Sequence, residues 1–439
     1  MSIDLRRAAE IAIEHAKKKG MDEAEVSLHH GTGISVTARQ NELETVEKHN
    51  DAQFVIGVYK NHKTGSASSA DLSEKGIIDT VNAAISIASY TGEDECFGLA
   101  DKELMATTPR DLDLYHSWIS DVGNLVDLAL ECEQAALQHD PRITNSEGAS
   151  VNTYSGSAIY TNSHGFISDK KGSQHSISCS VIASSDNGMQ RDYWYDSNRN
   201  PELLQSAQSI GTESAIRTIK RLDARKIAST QCPVLFDPNT AKSLVGHLIG
   251  AIKGGAIYKK ASFMLDKVDV AVLPKFVNIS ENPHKLGANN SAWHDSEGVA
   301  TPSVNSIIEN GELQHYVLGS YTARKLKLAT TANAGGVRNL KVSNTGQSFD
   351  ELLKQMQKGV VVTELIGSGI NSVTGDYSRG AAGFWVENGE IQYPVEEITI
   401  AGNLLEMYLG IIAIGSDTDT RGNTECGSIL LENMTIAGS

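Results

Sequence analysis

The chain has 439 residues, enough for two or three domains, and its 40% apolar and 21% charged side chains are ordinary for a soluble globular protein. A formal charge of −16 would repel a phosphate backbone, and the basic clusters Lys17-Lys18-Lys19 and 217–226 fall at expected helix ends, so nucleic-acid binding is disfavoured. Five scattered cysteines without a Cys-x-x-Cys pair argue against a zinc ribbon or a disulfide framework and read as small buried hydrophobes.

The N-terminal stretch carries charges throughout, unlike a signal peptide, and places Leu5, Ala8, Ala9, Ala12, Ile13 and Ala16 on one helical face that ends at Gly20. Short alternating stretches at 25–29, 34–38 and 53–59 predict strands, and 73–90 predicts a helix capped by Ser73. A third helix is expected over 118–138, an antiparallel meander over 149–195 and another helix over 201–222. Helix-led units of this kind predict an α+β fold rather than an alternating βαβ dinucleotide fold. A polar run followed by Cys232-Pro233 sets the expected boundary between an N-terminal helix-plus-antiparallel-sheet domain (1–225) and a C-terminal, mainly antiparallel β domain (230–439). Within the second half, 239–252 predicts a helix packed inside. Asn310-Gly311 and Asn388-Gly389 predict type I′ hairpins in two closely similar stretches. The apolar run 404–415 is interrupted by Glu406 and falls short of the ~20 residues a bilayer span needs, so a cytoplasmic protein is expected.

The glycine-rich run 366–380 contains neither phosphate-loop pattern, and Asp376 occupies a position where a nucleophile elbow around Ser378 requires glycine. It reads as strand-linking turns. His294-Asp295-Ser296-Glu297-Gly298 is the densest polar cluster and reads first as a surface loop. His247 stands among Leu, Val, Ile, Ala and Gly with no carboxylate nearby in sequence, so composition alone makes its helix a packing element.

The Gly246-His247 helix running into Gly254-Gly255-Ala256-Ile257-Tyr258, the 294–298 cluster and the Asn310-Gly311 hairpin point further together. With them go Gly375-Asp376-Tyr377-Ser378-Arg379-Gly380 and Ile398-Thr399-Ile400-Ala401-Gly402-Asn403. In these motifs the chain resembles the TldD/PmbA family of metalloprotease components, once called modulators of DNA gyrase, and is most similar to its PmbA (TldE) branch. In the TldD branch that helix carries His-Glu-x-x-x-His, and a cysteine near the C-terminus completes a zinc site. The matching places here hold Gly246, His247 and Ala251, with Cys426 near the position of the cysteine. The resemblance therefore implies no catalytic or metal-binding residues and no cofactor on this chain, with zinc on a TldD-type partner and His247 and Cys426 left at the family positions. It implies a heteromeric peptidase acting on unfolded peptides, in which this chain shapes the chamber and is inactive alone. His294, Asp295, Tyr377 and Trp385 are then the expected peptide or partner contacts. A stand-alone homo-oligomeric peptide-binding scaffold is the alternative.

Overall fold

The computed structural model describes residues 4–118 and 120–438. The first half forms α1 (Leu5–Lys18), β1 (Glu23–Arg39), β2 (Glu42–Lys60), β3 (Lys63–Ser69) and α2 (Glu74–Tyr90). It continues with α3 (Val122–Leu137), β4 (Ile143–Asn162), β5 (Ile167–Ser185), β6 (Gly188–Asn198) and α4 (Ala207–Lys220). Asp4, Ser73, Asp121 and Ser206 cap the four helices, each side chain accepting from a first-turn N–H. The strands form one antiparallel sheet in the order β3-β2-β1-β4-β5-β6. The helix–three strands–helix unit thus occurs twice, with its two copies joined along the β1–β4 seam.

Both helix pairs cover the same face of this sheet. Val26, Leu28, Phe54 and Ile56 lie under α1 and α2, while Val36, Val151, Ile177 and Val181 lie under α3 and α4. Strand lengths differ from expectation. The stretches at 25–29 and 34–38 are one 17-residue strand, because Gly31 and Gly33 do not break it. They make room instead: a Cβ at Gly31 would lie 2.1 Å from the Tyr154 hydroxyl across the seam.

The second half opens with β7 (Thr230–Phe236), which leads directly into α5 (Pro238–Ala251). A small sheet follows, made of β8 (Ile279–Glu281), β9 (Asn305–Glu309), β10 (Glu312–Leu313), β11 (Leu340–Val342) and, from later in the chain, Thr424–Glu425. The larger sheet contains β7 together with β12 (Gly359–Ile366), β13 (Asp376–Glu387), β14 (Glu390–Asn403), β15 (Ile411–Ile414) and β17 (Ile429–Ala437), the small sheet's Thr424–Glu425 being β16 in chain order. Its order is β14-β13-β12-β7-β17-β15, and β17 also pairs with β14, which closes five of the strands into a ring. The α+β class stands, but the second half is not wholly antiparallel. β7 and β12 run parallel because the chain between them crosses over through α5 and the small sheet. Asn310-Gly311 and Asn388-Gly389 have positive φ at both residues, as a type I′ turn requires.

Helix α5 packs one side into the core of this half and leaves the other exposed, so it is not wholly inside. Asp237 caps it, accepting from Thr240 N and Oγ1 at 2.8 Å each, and burial pushes its carboxyl up to about 6. Leu244, Val245, Leu248 and Ile249 enter the core, each contributing about 1.5–3 kcal/mol when fully buried. No described helix is long and apolar enough to cross a membrane.

Candidate functional site

The exposed side of α5 carries Gly246, His247 and Gly250, and a Cβ at either glycine would meet nothing within 4 Å. His247 lies against Tyr377 of β13, with the rings edge-on at 6.1 Å. Tyr377 and Arg379 are two residues apart on the strand, so both side chains leave the same face towards the helix. His247 Nε2, the Tyr377 hydroxyl and Arg379 Nε are each shielded from solvent without a hydrogen-bond partner among the described residues. Burial, and then the Arg379 charge, lower the imidazole pKa, so His247 is neutral near pH 7. Burial pushes the Tyr377 phenol up to about 12.

Cys426 is not a partner of His247. It is fully buried, its thiol donates to Gly427 O at 3.2 Å, and burial pushes its pKa up to about 12. A thiol held protonated is neither an effective nucleophile nor a ready metal ligand. Among the described residues, no group of three or more His, Cys, Asp and Glu side chains is placed to hold a metal ion.

Tyr377 and Trp385 were expected at a peptide or partner surface. They lie instead in the core of the second half, 1% and 8% exposed, because β13 is an inner strand of the closed ring. The 294–298 cluster, expected as a surface loop, is buried at His294, Asp295 and Gly298, while Glu297 is half-buried and Ser296 exposed. The Asp295 side chain accepts from the backbone N–H groups of Glu297 (2.9 Å), Val299 (2.9 Å) and Ala334 (3.1 Å). His294 bonds to Asp295 O through Nδ1 (2.6 Å) and to Ser168 Oγ of β5 through Nε2 (2.7 Å), which ties the loop to the first sheet. Desolvation raises Asp295 to about 6 and lowers His294 to about 4.

That loop walls a cleft of about 450 Å³ over the helix-free face of the first sheet. Its floor includes Ser27, His29, Gln53 and Tyr154, and its cations are Lys170, Lys171, Arg199 and Arg338, while Asp295 is the one carboxylate in the lining. None of these four lysines and arginines was singled out by sequence. They lie far apart along the chain, and only the sheet brings them together. Arg379 stands within the 375–380 motif, but its pairing with Tyr377 depends on that stretch being a strand.

The halves are also locked elsewhere. Arg421 stacks on Trp194 and Tyr195 at 3.9 and 4.5 Å, donates to Tyr195 O at 2.7 Å and reaches Asn239 of α5.

Comparison with known proteins agrees with this architecture. Three family models match in succession: PmbA/TldA metallopeptidase domain 1 over 24–88, the central domain over 115–222 and the C-terminal domain over 229–438. The chain belongs to the PmbA/TldD metallopeptidase family. It is 48% identical to Metalloprotease PmbA of Escherichia coli O157:H7, covering 99% of this chain and 96% of that protein. It is 46% identical to the Metalloprotease PmbA homolog of Haemophilus influenzae over the same shares, which places it on the PmbA branch. A crystal structure from Bacteroides thetaiotaomicron, described as a modulator of DNA gyrase, matches all of both chains with a TM-score of 0.94 at 26% identity. TldE from Thermococcus kodakarensis shares the fold, with a TM-score of 0.81 at 19% identity over 98% of this chain and all of that one.

Proposed function

We propose that this chain is the non-catalytic subunit of a cytoplasmic TldD/PmbA-type zinc peptidase that degrades or matures unfolded peptides. The observation that carries the reading is the donor set on α5. A catalytic zinc needs about three protein ligands and an open position for water. Gly246 has no side chain, Ala251 is a buried methyl group, and Cys426 is held as a thiol turned to Gly427 O. His247 is left as a single neutral imidazole. These residues do not fit zinc, so no hydrolytic step is assigned to this chain. Its contribution is to help enclose and bind the peptide beside the metal of a TldD-type partner, and interfaces of such obligate assemblies commonly bury more than ~2,000 Å².

The test is co-purification of the full chain with a TldD-type chain from the same organism, followed by zinc analysis and peptidase assay on each chain and on the complex. The expected result is a stable heteromer active on unstructured peptides, zinc on the partner and neither chain active alone. Stoichiometric zinc on this chain after chelator washing, or a partner that cleaves at full rate by itself, would overturn the proposal. In the second case a stand-alone peptide-binding homo-oligomer would be the better account, whereas zinc on this chain would make it a metalloenzyme in its own right.

A further inference from the structure

The cleft over the first sheet inverts the sign of the protein. The whole chain carries 54 acidic and 38 basic side chains, yet the cleft lining holds four cations and one carboxylate. Arg338 has buried Asp295 and Glu281 nearby to offset its charge. Arg199 has no such offset, since its guanidinium is spent on neutral carbonyls: Ala288 O, Leu114 O, Ser173 O and Asn289 O, at 2.6–3.3 Å. Those carbonyl dipoles solvate the guanidinium, but no carboxylate pairs with it among the described residues, so it keeps its formal positive charge in the cleft lining. Lys170, on β5, has neither an ion pair nor a hydrogen bond among the described residues, and its amine pKa is lowered by the desolvating walls and then by Arg338 and Arg199. Lys170 is an exposed residue at the cleft, with Arg338 and Arg199 as like charges nearby and no acidic partner among the described residues.

The floor is also shaped for contact. A Cβ at Gly172 would lie 3.1 Å from the Arg199 guanidinium, and one at Gly156 would lie 2.9 Å from His29 Nε2. Glycine at both places lets these side chains lie along the strands. The floor stays low, and the volume falls within the usual ~300–1,000 Å³ of ligand sites.

We propose that this cleft recognises a carboxylate on a peptide ligand, with Lys170 and Arg199 supplying the positive field and the open sheet face receiving the adjoining chain. The carboxylate is that of an acidic side chain or of the peptide's C-terminus. The choice of a peptide rests on the function proposed above, whereas the inverted charge of the cleft does not.

The test is fluorescence polarisation on the full chain without a partner, using three labelled unstructured peptides of one length: a glutamate-rich amide, its glutamine isostere as the amide, and the isostere with a free C-terminus. Either the glutamate peptide or the free-acid isostere should bind at least tenfold tighter than the glutamine amide, and which of them does so identifies the source. The advantage should shrink as salt is raised. Lys170→Glu should abolish it while leaving the circular dichroism spectrum unchanged, since Lys170 makes no contact that the fold needs. Lys75→Glu makes the same change in net charge on the exposed side of α2, outside the cleft lining, and should cost less than about threefold if the field is local. Equal binding of all three peptides, or a preference that survives Lys170→Glu, overturns the proposal. Because no partner is present, this outcome is separate from whether a heteromer forms.

Discussion

Replacing Asp295 with alanine tests whether the buried loop is organised by its own carboxylate. The side chain is 1% exposed and accepts from three backbone N–H groups, two within the loop and one from Ala334. Each buried donor left without an acceptor costs about 1–3 kcal/mol, so losing the acceptor of all three in Asp295→Ala should destabilise by roughly 3–9 kcal/mol, towards the low end if water enters from the cleft. Asp295→Asn can keep the Oδ1 acceptor of the Glu297 and Val299 N–H groups and turn its NH₂ towards Ala334 N alone, so about a third of that loss is expected. Denaturant unfolding is read in two ways: by circular dichroism, and by fluorescence with Trp293 retained as reporter, whose ring lies 4.7 Å from that of His294. The fluorescence transition should move at least as far as the global one, because the loop loosens first. A loss below about 0.5 kcal/mol for the alanine variant would show that the three bonds do not hold the loop, and the account of the cleft wall would fall with them.

Titration of His294 gives a second check. Its folded pKa is lowered to about 4 from 6.5, so the unfolded chain takes up a proton that the folded chain refuses, and this stability is lost as pH falls from about 6.5 towards 4. The stability difference between the native chain and His294→Gln should therefore change by up to about 3 kcal/mol between pH 7 and pH 4, and a flat difference would contradict the buried neutral imidazole. Two helix glycines should respond in opposite directions. Gly246→Ala meets open space and should raise stability by about 0.5–1 kcal/mol, whereas a Cβ at Gly211 would sit 1.9 Å from Cys132 O and force α3 from α4, so Gly211→Ala should lower the melting temperature markedly. Arg421→Ala removes two ring stacks and the bonds to Tyr195 and Asn239. Limited proteolysis should then cut between the halves faster, and an unchanged rate would show that this contact does not couple them.

The parts of the fold legible in the sequence are those set by local chemistry. Ser73 caps the second helix as expected, α5 starts at Pro238 within a residue of expectation although Asp237 rather than Asn239 or Thr240 caps it, and both Asn-Gly hairpins form. What was not legible depends on partners distant in the chain. Gly31 and Gly33 read as interruptions because Tyr154, which explains them, lies more than a hundred residues away. The 294–298 loop has a solvent-like composition, yet Ala334 N and Ser168 Oγ supply the bonds that let it be buried. The aromatic run from Tyr377 to Trp385 gives no sign of whether its strand lies at an edge or inside, and ring closure by β17 against β14 decides that. At the candidate site, His247 and Tyr377 stand out in the sequence, but their juxtaposition with each other and with Arg379 does not, since it needs the strand's two-residue period.

The repeated unit of the first half bears on how the protein comes to be folded. Within each copy, three strands follow one another through short turns and are flanked by their own helices, so most contacts are local and each copy has its own apolar cluster. The β1–β4 seam is different: Val36 meets Val151 and Leu28 meets Ile159 across more than a hundred residues of chain. Closing so long a loop is entropically slow, so the copies should gain helix and hairpin structure early and dock late. Pulse-labelling hydrogen exchange would then find the β2–β3 and β5–β6 amides protected before those that join β1 to β4. The cleft floor is laid across that same seam, so the site would be among the last features of the first half to exist.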